Sequence, residues 1–261
     1  DAFNILLEED IFRTNPQALE KLNGWVKARD ASRQPAAMYA MGSLLLEKDD
    51  LSGAVKMAEE GLSKYPQSLP VQILSLNTIT VLLDKNRLQD AERLISKYPG
   101  SSPDLVFQQG ALAFLKKDYS LAQKLFREAA RRASETTAEN ALFNENLAAL
   151  NANDASGAAA LIKEASGSSR LRESILFEQA NYAAKRMAPQ AAELLANFIT
   201  LAETPALKTQ ARLDQVEVAL NLNPPDLETV QAILPLLEKE QLSPEQTMQL
   251  ARLNILEAES R

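Results

Sequence analysis

The chain has 261 residues, of which 46% are hydrophobic but only 5% aromatic, and it carries a net charge of −7. It contains neither cysteine nor histidine, which excludes disulfides, thiolate nucleophiles, Cys-based zinc sites and the side chain that most often serves as general base or metal ligand. The acidic balance argues against a general nucleic-acid binder, whose hold on phosphate rests on clustered Lys and Arg, and no run of about 20 apolar residues is available to cross a membrane.

Phe3, Leu6, Leu7 and Ile11 recur at helical spacing, and Asn15-Pro16 stops that helix and opens the next, with Pro16 where a first turn tolerates it. The second helix carries Ala18, Leu22 and Trp25; the only tryptophan is assigned to core filling, and residues 1–34 are expected to form a divergent helix pair. The stretch Pro35 to Pro66 places Met38, Met41, Gly42 and Leu45 on a first helix and Ala54, Ala58 and Gly61 on a second, and Pro66 ends the unit. Gly42 and Ala54 are expected where the two antiparallel helices cross, because a larger side chain would push the axes beyond their usual roughly 8–10 Å.

The pattern recurs with starts near 72, 103, 139 and 173. Leu69 to Leu83 and Leu88 to Tyr98 form a degenerate pair with Ala91 and Ile95 in the packing slots. Pro103 to Ser134 is clearer, through Val106, Gly110, Ala113, Ala122, Phe126 and Ala129. Glu139 to Ala165 and Glu173 to Ile199 follow, with turns at Lys117-Asp118, Asn153-Asp154 and Ala188-Pro189. Residues 201–261 keep the pattern loosely. Thr204-Pro205 opens a helix to about Asn221, Asp226 caps the helix Leu227 to Lys239, Pro235 predicts a kink or early break, and Ser243-Pro244 starts a final helix without a partner. Its Met248, Leu250, Leu253 and Ile255 are too apolar for a polar terminal cap, so the chain is expected to continue past Arg261; Asp1 is not an initiator methionine, which fits a cut product.

The Pro35 unit resembles a tetratricopeptide repeat, whose signature W-x₂-L-G-x₂-Y, A-x₃-F and closing Pro is met by Met38, Met41, Gly42, Leu45, Ala54, Ala58 and Pro66, without the two aromatic landmarks. The resemblance covers residues 35–200 well and the flanks loosely. It implies an all-α fold, a right-handed superhelical solenoid of about seven antiparallel helix pairs with a concave and a convex side. In this family the first helix of each pair lines the concave groove. Two columns of residues beside the packing slots would then face it: Tyr39, Leu76, Phe107, Phe143, Phe177 and Met248, and next to them Ala40, Asn77, Gln108, Asn144, Glu178 and Gln249. The candidate partner-binding set is Tyr39, Asn77, Phe107, Gln108, Phe143, Asn144, Phe177 and Glu178, over a site from Asn77 to Phe177. Amides can satisfy a peptide backbone while rings bury its side chains; the competing reading packs the rings between neighbouring first helices. The basic clamp with which some members hold the acidic tail of heat-shock chaperones would need cations near Tyr39, Asp104 and Gln108, and only Asn77 fits.

The cluster Lys116, Lys117, Lys124, Arg127, Arg131 and Arg132 is read as a solvated second-helix face, and Glu8-Glu9-Asp10, Asp49-Asp50 and Glu59-Glu60 as surface charges, since adjacent acids on a helix diverge and no metal-ligand spacing surrounds them. The expectation is a non-enzymatic scaffold, with no cofactor, metal or nucleic acid and no direct membrane insertion, that holds a protein or peptide partner. Its Ala-, Gln- and Asn-rich, Cys-free style points to a bacterial envelope assembly in the periplasm, such as secretion or polysaccharide export; the alternative location is the cytoplasm. The alternative function is a regulatory or targeting arm of a larger enzyme or outer-membrane export channel. Oligomeric state is left open.

Overall fold

The computed structural model describes residues 16–27 and 32–260; the helix expected over residues 1–13 lies outside them. Among the described residues the chain is all-helical, with fourteen α-helices and one short 3-10 turn. It divides into two compact units, Asp1–Ala141 and Leu142–Arg261. The first contains α1 (Pro16–Lys27), α2 (Gln34–Glu47), α3 (Leu51–Lys64), α4 (Leu69–Asp84), α5 (Leu88–Lys97), α6 (Pro103–Leu115) and α7 (Tyr119–Arg132). Helix α8 (Glu135–Asn151) runs across the division. The second holds α9 (Ala155–Glu164), α10 (Ser169–Lys185), α11 (Ala191–Leu201), α12 (Pro205–Leu220), α13 (Leu227–Leu237) and α14 (Pro244–Ser260).

One turn recurs and sets this order. Asp49, Asn86, Lys117, Asn153 and Met187 each have a positive φ, and each follows a first helix. In every case the N–H of the next residue reaches the carbonyl five positions back, at 2.7–3.0 Å: Asp50 to Leu45, Arg87 to Leu82, Asp118 to Ala113, Asp154 to Ala149 and Ala188 to Ala183. This is the Schellman arrangement, which satisfies helix-end carbonyls that otherwise have no partner. Asp50, Asp118 and Asp154 then cap the following helix, each accepting from the N–H three residues on (Gly53, Leu121 and Gly157) at 2.9–3.1 Å. Asp226 caps α13 in the same way through Thr229, as the sequence predicts.

Consecutive helices touch from α1 to α7 in the first unit and from α9 to α14 in the second, and so do alternate ones: α2 with α4 and α4 with α6 in the first unit, α10 with α12 and α12 with α14 in the second. The packing is therefore repeat-like. The helix read from Leu69 does begin there, whereas two first helices begin earlier than Glu139 and Glu173, at Glu135 and Ser169, the latter behind a cap in which the Ser168 hydroxyl accepts from Leu171 N–H at 3.3 Å. Trp25 is half-buried against Leu22, Ala37, Ala40 and Met41, in the predicted core-filling role. Helix α13 continues two residues past Pro235 and ends at Leu237, short of the expected Lys239; proline removes one N–H near an end where little helix remains to be lost. The last helix does have partners. Its Leu250 and Leu253 are buried with residues of α12 and α13, while Met248 and Ile255 are 68% and 61% exposed.

The glycine slots divide into two kinds. A β-carbon on Gly42 would meet Leu74 Cδ1 of α4 at 2.3 Å, so Gly42 admits the next first helix rather than the crossing within its own pair. Gly110 does serve its own pair: a β-carbon there would lie 2.9 Å from the Phe126 ring of α7. In the degenerate pair no glycine is needed, because Ser75 and Thr78 are fully buried and turn their hydroxyls to the carbonyls of Val71 and Leu74, both at 2.8 Å.

In the second unit a carboxylate of one first helix caps the next. Thr204 makes no side-chain cap of its own; instead Glu173 accepts from the backbone N–H groups of Glu203 and Thr204 at 2.8 and 2.7 Å and from the Thr204 hydroxyl at 2.6 Å. Burial alone would raise the Glu173 pKa, but these three donors outweigh it and hold the carboxyl below its usual range.

Two outcomes follow. Gly110→Val should lower the unfolding free energy in urea by about 2 kcal/mol, since Phe126 is buried and has no room to retreat. Glu173→Gln should cost about 1 kcal/mol at pH 7. Because the folded pKa is depressed, that stabilisation is present above the unfolded carboxyl value of about 4.3 and lost as pH falls through the folded one, so the difference between the two proteins should close below about pH 4.

Candidate functional site

Of the sequence-predicted site, the first unit holds Tyr39, Asn77, Phe107 and Gln108. Tyr39 is half-buried against the core that α3 to α5 share, and Phe107 is half-buried with its ring centroid 5.4 Å from that of Phe126. Asn77 is exposed on α4. Gln108 donates from Nε2 to Thr80 Oγ1 at 2.9 Å and so ties α6 to α4. The ring at each position thus leans on the core while the amide beside it lies toward solvent or toward the neighbouring first helix.

The second unit holds Phe143, Asn144, Phe177 and Glu178, all half-buried. Phe143 packs on Leu161, Ala165, Leu171 and Ile175, and Phe177 lies 5.3 Å from Phe198, centroid to centroid. Of this set Phe177 opens on a cavity of about 680 Å³ walled by α10, α12 and α14. Asn181 and Lys185 line it from α10; Gln210, Asp214 and Glu217 from α12, with Asn221 just past its end; Gln249 and Arg252 from α14. Gln249 belongs to the second predicted column; the others lie outside both columns, which take only two positions from each first helix. The signal was present as four-residue steps: Phe177, Asn181 and Lys185 form one row, and Gln210 and Asp214 begin another.

The cavity is held by a polar chain between α12 and α14. Gln210 Nε2 donates to Asp214 Oδ1 at 2.9 Å and to Gln249 Oε1 at 3.1 Å, and Gln246 Nε2 donates to Gln210 Oε1 at 3.4 Å. Gln249 Nε2 faces Asp214 Oδ1 at 3.5 Å and Glu217 Oε2 at 3.3 Å. Burial raises the Asp214 pKa; the amide donors and Lys185 oppose that rise, and the charge of Glu217 adds to it. Arg252 stands 3.4 Å from Glu217 with its side chain 69% exposed.

Elsewhere the charged clusters have structural partners. Glu59 takes Arg93 at 2.8 Å and Lys97 at 3.1 Å, and Asp49 takes Lys85 at 3.1 Å. Glu8-Glu9-Asp10 lies outside the described residues. Within the basic cluster, Lys116 pairs with Glu92 at 2.7 Å and Arg132 with Glu128 at 2.6 Å. No group of His, Cys, Asp or Glu arranged to hold a metal occurs among the described residues, and none of their helices is long and apolar enough to cross a membrane. Compared with protein-family models, curated proteins and solved structures, the chain shows no match in any of the three.

The raised Asp214 pKa has a definite consequence for stability. The folded state binds this proton more tightly than the unfolded state, so the contribution of Asp214 falls as pH rises from the ordinary carboxyl value of about 3.9 to the raised one, and stays low above it. Asp214→Asn keeps an acceptor for Gln210 without the charge. It should therefore be more stable than the parent at pH 7, by urea midpoint, with the advantage shrinking as pH is brought down toward 4.

Proposed function

We propose that this chain is a non-enzymatic interaction scaffold, a tetratricopeptide-like solenoid of right-handed twist that holds a protein or peptide along its first helices. The observation that carries this reading is the side-by-side contact of alternate helices with amides on their outward positions, Asn77 and Gln108 in one unit and Asn181, Gln210 and Gln249 in the other. Amides offer both donors and acceptors to a peptide backbone. The recurrent left-handed turn supports the repeat assignment, since five copies of one helix–turn–helix closure recur along the chain. The assembly we envisage is one of the bacterial envelope, in the periplasm and of the secretion or polysaccharide-export type, on the strength of a Cys-free, Ala-, Gln- and Asn-rich composition.

Because Phe107 and Phe143 lean on the core, replacing them would test stability as much as binding. A photo-crosslinking amino acid placed at exposed Asn77 or half-buried Gln108 and Asn181 tests the groove directly. In living cells these positions should give a discrete crosslinked adduct, while Lys56, Glu92 and Lys124 on the second helices should give none. Equal adducts from both sets would overturn the reading.

A further inference from the structure

The cavity between α10, α12 and α14 has its charges sorted by depth. The two carboxylates belong to its interior: Asp214 is half-buried and fixed by Gln210 and Gln249, and Glu217 is half-buried beside it. The two cations belong to the rim, where Lys185 is exposed and the Arg252 side chain is 69% exposed. Apolar surface from Phe177, Ala184 and Val218 completes the wall. We propose that this cavity receives one basic side chain, Lys or Arg, presented by a peptide partner, with its cation on Asp214 and Glu217 and its aliphatic stem along Phe177 and Val218.

Each part of that occupant answers a feature of the site. A cavity of about 680 Å³ is large enough for one long side chain and the backbone that carries it. Lysine and arginine place apolar stems on apolar surface while their heads seek charge. Asn181 flanks the carboxylates and offers donors and an acceptor to the peptide backbone. An anionic occupant would meet two carboxylates inside, and the rim cations Lys185 and Arg252 are well solvated. The existing Arg252–Glu217 pair spans 3.4 Å at an exposed rim, so yielding Glu217 to an incoming cation costs little. The raised Asp214 pKa agrees: among the groups facing it, Glu217 on its own helix opposes its charge and Lys185 from α10 favours it, while Arg252 of α14 pairs with Glu217, and an occupying cation would relieve the strain of burial.

The inference rests on the groove reading but can fail separately. The test is titration of the ¹⁵N-labelled chain with a lysine blocked at both ends as amides, followed by backbone amide shifts. Blocked norleucine serves as the uncharged match and cadaverine as the free diamine. Blocked lysine should give saturable shifts at residues 181, 214, 217 and 249, with affinity rising as Asp214 ionises. Norleucine should bind at least about tenfold more weakly, and Asp214→Asn should lose about tenfold for lysine, as expected for a hydrogen bond to a charged group. Glu217→Gln provides a second test should Asp214→Asn disturb the fold, and Asp104→Asn in the first unit should change nothing. Equal binding of norleucine, an unaltered affinity in both cavity variants, or no saturable shift would overturn the proposal; cadaverine binding as tightly as blocked lysine would overturn its peptide part. Failure here with crosslinks retained at Asn77 and Gln108 leaves the groove reading standing, whereas lysine binding without those crosslinks overturns the groove and keeps the cavity.

Discussion

A single residue in the left-handed region after each of five first helices, α2, α4, α6, α8 and α10, is the constraint on which the rest depends. Such a residue costs about 1–2 kcal/mol when it carries a β-carbon, and four different side chain types, Asp, Asn, Lys and Met, accept that cost here. What offsets it is local and repeated. The reversal satisfies two carbonyls at the end of one helix, and in four of the five turns the residue that makes the reaching bond is itself the N-cap of the next helix. Chain reversal and helix initiation are thus one event. Consecutive helices are thereby set side by side, and within each unit first helices touch one another directly.

How closely they meet is decided by small residues of two kinds. Gly110 lets α7 approach α6 within a pair, whereas Gly42 lets α4 approach α2 between pairs, and Gly61 with Val71 does the same from the second helix. In α4 a buried serine and threonine substitute for glycine by turning their hydroxyls onto their own backbone, which removes the polar cost of burial. The spacing of neighbours is therefore uniform enough for alternate helices to touch even where the residue pattern is degenerate. Ion pairs such as Glu59 with Arg93 and Lys97 span α3 and α5 on the surface, and they add little beyond fixing that neighbourhood.

The parts legible in the sequence are those whose signals are local. Asp118, Asp154 and Asp226 mark helix starts by their own hydrogen bonds, and alanine and glycine at helical spacing mark the packed face, so the helices and most turns could be placed from residues alone. Gly42 shows where this stops. Its smallness was legible, but which helix it admits depends on the rotation of both, a property of the assembled pair. The same rotation separates the two candidate columns: Tyr39, Phe107, Phe143 and Phe177 sit half-buried on the core, so a single position per helix does not distinguish a lining ring from a packing ring. Glu173 was invisible because the N–H groups it caps lie about thirty residues away, on the next first helix.

The polar chain across α12 and α14 joins architecture to recognition. A row of leucines at Gln210, Asp214 and Gln249 would bury more apolar surface and tolerate several registers of one helix on the other. Amides and a carboxylate tolerate few, since each donor must find its acceptor or leave a buried polar group unsatisfied. The register so selected is one in which Asp214 keeps unspent acceptor capacity on the wall of an open cavity, with Oδ1 engaged by the glutamines. The interaction that fixes how two helices sit together therefore also holds a charge in place on the cavity wall.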